Sequence, residues 1–152
     1  MPHREPFLRT LRSLAECYQA FEHYSAGHVR GERLTSAQFD IIATLGNTPG
    51  MNFKELGART LITKGTLTGV VDRLEKSGLV QRKKCESDAR VTYVRLTLAG
   101  ERAFARVFPA QVAHLKGVFS RIPPQELETL RRGLDRLKDE FRRSACNLEK
   151  AA

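Results

Sequence analysis

Between Thr63 and Lys76 the chain gathers side chains suited to touching nucleic-acid bases. Advanced along a helix at about 100° per residue, Leu67, Val70, Val71 and Leu74 fall together, while Gly65, Thr68, Gly69, Asp72, Arg73 and Lys76 fall opposite, with Thr63, Lys64 and Thr66 at the amino end. Threonine hydroxyls hydrogen-bond base edges or touch a thymine methyl, Lys64 and Arg73 reach phosphate or guanine, and the free N–H groups of a helix start suit phosphate. Each interior glycine costs about 1 kcal/mol of helix stability against alanine, so Gly65 and Gly69 require a reason, and close approach to a groove wall supplies one. Asp72 is repelled by DNA unless it accepts from a cytosine or is neutralised; Lys76, one turn on, is its expected partner. The plainer alternative for the whole face is a solvated helix surface.

A second cluster follows directly. Residues 81–95 hold Arg82, Lys83, Lys84, Arg90 and Arg95 against Glu86 and Asp88, a local charge of +3 within a chain total of +9. Residues 1–34, 35–97 and 98–152 carry +1, +4 and +4, so the excess is focused most tightly on one short segment. A basic excess admits nucleic acid, anionic membrane or acidic partners without choosing among them.

Local signals indicate how these groups are held. Thr35 or Ser36 caps a helix carrying Phe39, Ile42, Ala43 and Leu45, stopped by Gly46-Asn47-Thr48-Pro49-Gly50. Asn52, with Glu55 three residues on, starts a short helix holding Phe53, Leu56 and Leu61. Thr63 starts the next, and Gly78 ends it. Beyond Gly78 the period changes: Leu79–Lys83 and Val91–Thr97 read as strands, the second with Thr92, Val94 and Leu96 on one face, joined by the polar turn Cys85–Arg90. A basic hairpin attached to a helix-turn-helix is a wing.

Long amphipathic helices flank this block. Phe7, Leu11, Leu14, Tyr18 and Phe21 form one stripe, on a helix expected to end near Ser25-Ala26-Gly27. Phe104, Phe108, Val112, Leu115, Phe119 and Ile122 form another, with Pro109 expected to kink it, and Leu127, Leu130, Leu134, Leu137 and Phe141 form a third, beginning at Pro123-Pro124. Such stripes ordinarily build an intrachain core. Narrow seams at both termini, around a segment able to fold on itself, predict instead a homodimer. The expected fold is mainly α with a small β-hairpin wing (α+β): an N-terminal dimerisation helix and connector over 1–34, a winged helix-turn-helix over 35–97, and C-terminal dimerisation helices over 98–152.

The order and spacing of Leu34-Thr35-x-x-Gln38-Phe39, Glu55-Leu56, Thr63-Lys64-Gly65-Thr66-Leu67-Thr68, Val71-Asp72-Arg73-Leu74-Glu75-x-x-Gly78-Leu79-Val80, Asp88-Ala89-Arg90 and Leu96-Thr97-x-x-Gly100 strongly resemble the MarR family of transcriptional regulators. The resemblance covers residues 34–100 at motif level; the flanking helices match in position and length. It implies a triangular homodimer whose terminal helices form the base and whose two lobes straddle a pseudo-palindromic operator in double-stranded DNA. It further implies that residues 63–77 enter the major groove and Arg90 the minor groove, with Asp88 bracing the wing. An arginine suits a narrow, electronegative minor groove, and an adjacent aspartate can fix its direction.

The resemblance also implies a switch. Relatives respond to small anionic aromatic molecules bound between lobes and base, to cysteine oxidation, or in a few cases to zinc. His23 and His28 are candidates to line an effector pocket. Cys17, near Tyr18 and Tyr24, is the candidate redox residue, although the tyrosine spacing departs from the peroxide-sensing branch and Arg12 is the only nearby cation to lower its pKa; the alternative is a plain core cysteine. Cys85 is expected exposed on the wing. Three cysteines (Cys17, Cys85, Cys146) and His3, His23, His28 and His114 share no metal spacing, so neither a disulfide framework nor a metal site is expected.

Other classes lack support. Hydrophobic residues at 41% and charged residues at 28% set the chain apart from disordered basic tails. No run approaches the ~18 apolar residues of a membrane helix, and Met1–Pro6 lacks a signal peptide's apolar centre; Arg4, Arg9 and Arg12 hint at a transit peptide that Glu5 and Glu16 interrupt. A cytoplasmic protein with no required cofactor is expected. No glycine-rich phosphate loop, nucleophile elbow or carboxylate–histidine motif suggests an enzyme. The reading is a homodimeric, sequence-specific repressor of its own or neighbouring genes, relieved by a small anionic aromatic effector. Its alternatives are a redox-responsive regulator using Cys17 and a winged-helix module that binds protein.

Overall fold

Proline suits a helix's first turn, whose N–H groups have no intrahelical partner, and the first helix of the computed structural model, α1 (Pro6–Gly31), begins on one. The structure describes residues 5–151, so His3 and Arg4 lie outside it, as does the side chain of Lys64. α1 runs past the expected stop at Ser25-Ala26-Gly27. Gly27 weakens the helix but stands in open space, and the turns around it bury Ser25 and Val29, the latter 1% exposed; packing outweighs propensity. The helix closes where the N–H groups of Glu32 and Arg33 return to Val29 and Arg30, with Arg33 at a φ of 60°.

α2 (Ser36–Leu45) starts on a reciprocal cap: Thr35 Oγ1 accepts the Gln38 N–H, and the Gln38 side chain accepts the Thr35 N–H. After the turn through Gly46 comes β1 (Met51–Asn52), then α3 (Phe53–Arg59), capped by Asn52 Oδ1 on the Glu55 N–H at 2.8 Å. α4 (Lys64–Lys76) ends at Gly78, whose φ of 73° only glycine adopts freely. β2 (Val80–Lys84) and β3 (Thr92–Leu96) pair antiparallel from Val80–Leu96 to Lys84–Thr92. The sequence indicated this hairpin within one residue at each end. It did not indicate β1, which pairs Met51 with Val94 and makes the sheet order β1-β3-β2; two residues are too few to show a period.

Ile41, Ile42, Leu45, Leu56, Val70, Val71, Leu74, Val80, Val94 and Val107 are buried in one core cluster. Val107 belongs to α5 (Leu98–Phe119), whose buried face is Gly100, Ala103, Val107 and Gln111. The larger residues of the predicted stripe lie elsewhere: Phe104 is half-buried against the core, whereas Phe108 and Val112 are exposed. Pro109 lies within α5, which continues past it.

The chain divides into two compact units, residues 1–114 and 115–152. Both domain boundaries expected from sequence fall inside the first. In the second, the end of α5 turns through residues 120–123 into α6 (Pro124–Ala151), where the Pro123 carbonyl accepts the N–H groups of Glu126 and Leu127. Arg131 bridges Glu128 and Asp135, and Arg132 also reaches Glu128; these guanidinium bonds hold the Glu128 carboxyl down to about 2. No helix among the described residues is long and apolar enough to cross a membrane.

Candidate nucleic-acid interface

α4 divides its residues sharply. Leu67, Val70, Val71 and Leu74 face inward at 0–4% exposure, while Gly65, Thr66, Thr68, Asp72, Arg73 and Lys76 are exposed and Gly69 is half-buried. Among the described residues nothing demands the glycines: a Cβ at Gly65 would meet no atom within 4 Å, and one at Gly69 only the far end of Arg73 at 3.8 Å. At the amino end, Thr63 Oγ1 lies 2.9 Å from Thr66 Oγ1 and does not cap the helix with its side chain. Hydroxyls and unobstructed backbone therefore form the leading edge of the exposed face.

The carboxylate on this face is neutralised, though not by its expected partner. Asp72 accepts from Arg82 of β2 at 2.5 Å, in place of the predicted pairing with Lys76. The same guanidinium bonds Glu75 and lies over the Phe53 ring, 5.5 Å from its centroid. The hairpin folds back against α4 and brings to Asp72 a planar fork that serves two carboxylates, which a flexible lysine one turn along cannot do. Burial opposes the Arg82 charge, and the two carboxylate bonds outweigh it, raising its pKa. Arg82, placed by sequence among the wing's DNA-facing cations, thus joins the wing to α4.

Arg90 differs. Its side chain is 95% exposed against 25% for Arg82, which leaves it free to reach outward. Asp88 Oδ1 accepts the Arg90 N–H at 3.0 Å and stands 3.8 Å from its Nε, while the Val91 N–H bonds the Asp88 carbonyl; the wing tip is braced through Asp88. Lys83 and Lys84 are exposed, Lys83 loosely paired with Glu86 at 3.9 Å. An open groove of about 480 Å³ runs between α3 and the wing, lined by Asn52, Phe53, Lys54, Arg82, Arg90, Val91 and Thr92. Lys54, absent from the sequence-level site, therefore shares a groove with Arg90. A lone lysine on a short helix gives no signal until the hairpin is placed beside it.

A second polar cluster joins α1 to α5. Gln111, 1% exposed, donates to Ser25 Oγ at 2.7 Å, while its Oε1 and the Nδ1 of His28 are buried without partners. His114 stacks between Tyr24 and His28, with ring centroids 4.1 and 4.7 Å away, and the Tyr24 hydroxyl donates to the His114 carbonyl at 3.2 Å. Of the two histidines named from sequence as effector candidates, His28 belongs here and His23 is exposed. Cys17 is exposed rather than a core cysteine, because its position on α1 lies off the buried face of Ser25 and Val29. Cys85 is half-buried rather than exposed, and a hydrogen bond with Ser87, 3.0 Å away, lowers its thiol pKa. Among the described residues no group of three or more His, Cys, Asp or Glu could hold a metal ion.

A helix with a polar, glycine-bearing face, packed on two others and flanked by a braced basic hairpin, defines a winged helix-turn-helix DNA-binding protein. The MarR family model matches residues 34–92. A probable transcriptional regulator from Pseudomonas aeruginosa, of known crystal structure, is 33% identical, with 82% of this chain and 92% of that one covered at a TM-score of 0.69. Sco3205, a MarR family transcriptional regulator from Streptomyces coelicolor solved in complex with DNA, is 26% identical at a TM-score of 0.80, covering 88% and 86%. The homoprotocatechuate degradative operon repressor of Escherichia coli is 34% identical over 94 residues, 62% of this chain and 64% of that one. The chain belongs to the MarR family of winged helix-turn-helix transcriptional regulators.

Proposed function

We propose that this regulator is a homodimer that represses its own or neighbouring genes by gripping a pseudo-palindromic operator, and that a small anionic aromatic effector releases it. The observation that carries the DNA reading is the exposed face of α4, where two glycines unneeded by the chain's own packing lie beside a neutralised Asp72. Thr63, Thr66, Thr68 and Arg73 then read the major groove, Arg90 reaches the minor groove, and Lys83 and Lys84 with Lys54 meet phosphates. In an anisotropy titration against DNA flanking its own gene, Arg90→Ala is expected to weaken binding most at A/T-rich flanks. Thr66→Ala is expected to relax preference at one base pair, by the 1–3 kcal/mol a base contact is typically worth. Folded variants that bind every sequence as the parent does would contradict these roles.

Dimerisation is supported by apolar side chains that one chain leaves uncovered. On α1 these are Phe7, Leu11, Tyr18 and Phe21, with Leu14 half-buried; on α6 they are Leu130, Leu134 and Phe141, with Leu127 and Leu137 half-buried. Large exposed apolar surface of this kind marks an interface.

The effector reading rests on the cluster between α1 and α5. A phenolic hydroxyl can donate to Gln111 Oε1, and an aromatic ring suits the Tyr24–His114–His28 stack. The Escherichia coli relative is named as the repressor of an operon that degrades such a hydroxylated aromatic acid. Simple hydroxybenzoates are expected to raise the melting temperature and loosen operator binding in the parent but not in Gln111→Leu. A panel that changes neither property would remove this reading. The redox alternative retains only the exposed thiol of Cys17, and a protein-binding module would show weak, indiscriminate DNA binding.

A further inference from the structure

Asp40 lies half-buried on α2, and its Oδ2 accepts the backbone N–H of Leu61 at 2.7 Å. Leu61 sits in the turn of residues 60–63 between α3 and α4, with a side chain 80% exposed, so burial does not hold it in place. The turn's other bonds are local: the Thr60 N–H and hydroxyl both reach the Leu56 carbonyl, and Thr63 meets Thr66. Among the described residues, the Asp40 bond is the hydrogen bond that ties this turn to an element other than the α3 and α4 that flank it. The surroundings of this carboxylate disfavour its charge. Burial pushes its pKa up, the Leu61 N–H pulls it down, and Glu22, facing it from α1, adds to the rise; Tyr18, also on α1, is raised chiefly by burial and Glu22, with a smaller part from Asp40. A partly buried acid near another acid adds nothing that an apolar residue would not give the core.

We infer that Asp40 is a positioning residue for DNA recognition: it fixes the α3–α4 turn through the Leu61 N–H and thereby sets the angle at which α4 meets the groove. The inference rests on α4 being the DNA-reading helix. Its test attacks the bond from both ends. Asp40→Ala deletes the acceptor and Asp40→Asn keeps an oxygen in its place. Leu61→Pro deletes the donor, and Thr60, at φ −88° and ψ 160°, already has the extended backbone that precedes proline.

Affinities for an operator duplex and a scrambled duplex are measured for the parent, each variant and the Asp40→Ala/Leu61→Pro pair, with circular dichroism and melting as controls. The ratio of the two affinities is expected to fall about tenfold in Asp40→Ala and in Leu61→Pro, and by no more in the pair, since both remove one hydrogen bond. Asn should restore it to within about threefold, the deficit of a neutral acceptor against a charged one. Scrambled-duplex affinity, set by phosphate contacts, should not move. A folded Asp40→Ala with the parent's ratio, or a pair whose loss is the product of the single losses, overturns the inference. If Asp40→Ala does not fold, Leu61→Pro compared with Asp40→Asn decides in its place, and an undiminished ratio in Leu61→Pro overturns the inference equally. A parent without operator preference would overturn the DNA-reading role of α4 and this inference together.

Discussion

Gly69 is a residue that the contacts described within this chain do not require. Alanine there would relieve a helix-propensity cost of about 1 kcal/mol and meet only the tip of Arg73. Gly69→Ala is therefore expected to raise stability by roughly that amount in urea denaturation, while weakening operator binding about tenfold as the new methyl meets the groove wall. A variant that is both more stable and equally tight would return α4 to an ordinary solvated face. The polar face of α4 was legible from sequence because its apolar residues keep a strict helical period. The partner of Asp72 was not: Lys76 is its neighbour along the helix, but the tertiary approach of β2 brings Arg82, whose fork also serves Glu75. Sequence spacing limits partners within one helix and is silent across two elements. Gln111 and Ser25 make the same point, since their bond closes over 86 positions.

At the scale of elements, the wing depends on how tightly α5 follows β3. Thr97 Oγ1 donates to the Gly78 carbonyl and accepts the Gly100 N–H at 3.1 Å, while the Thr97 N–H reaches the Leu79 carbonyl at 3.1 Å. Gly100 packs so closely that a Cβ would run into the Leu79 carbonyl. Gly100→Ala is expected to cost about 1–3 kcal/mol, the usual penalty of overpacking, and to loosen the hairpin's base. A melting temperature within a degree of the parent would contradict that contact. The Leu96-Thr97-x-x-Gly100 spacing thus has a mechanical reason, which sequence could register only as part of a resemblance. α5 was legible as a helix, but its buried side was not. Gly100, Ala103, Val107 and Gln111 form its buried face with Phe104 packed beside them, while Phe108 and Val112 of the same predicted stripe face outward.

For the whole molecule, the charge of +9 is less informative than its placement. Arg82 is bound to two acids, Arg90 stands exposed at a tip braced by Asp88, with which it is only loosely paired, and α6 consumes Arg131, Arg132 and Lys138 in ion pairs along its own surface. The uncovered apolar stripes of α1 and α6 were read from sequence as seams, and their exposure in a single chain supports a second copy as the cover. The most direct measurement is a salt-resolved anisotropy titration of an inverted repeat from the DNA flanking its own gene against a scrambled duplex, with sedimentation fixing stoichiometry. One dimer per repeat is predicted, with half-sites about one helical turn apart. The repeat should bind at least about 10³-fold tighter than the scrambled duplex, and log affinity should fall with log salt by about 0.9 per phosphate contact. Equal affinity for the two duplexes, or a monomer on the DNA, would contradict a dimeric operator-reading regulator.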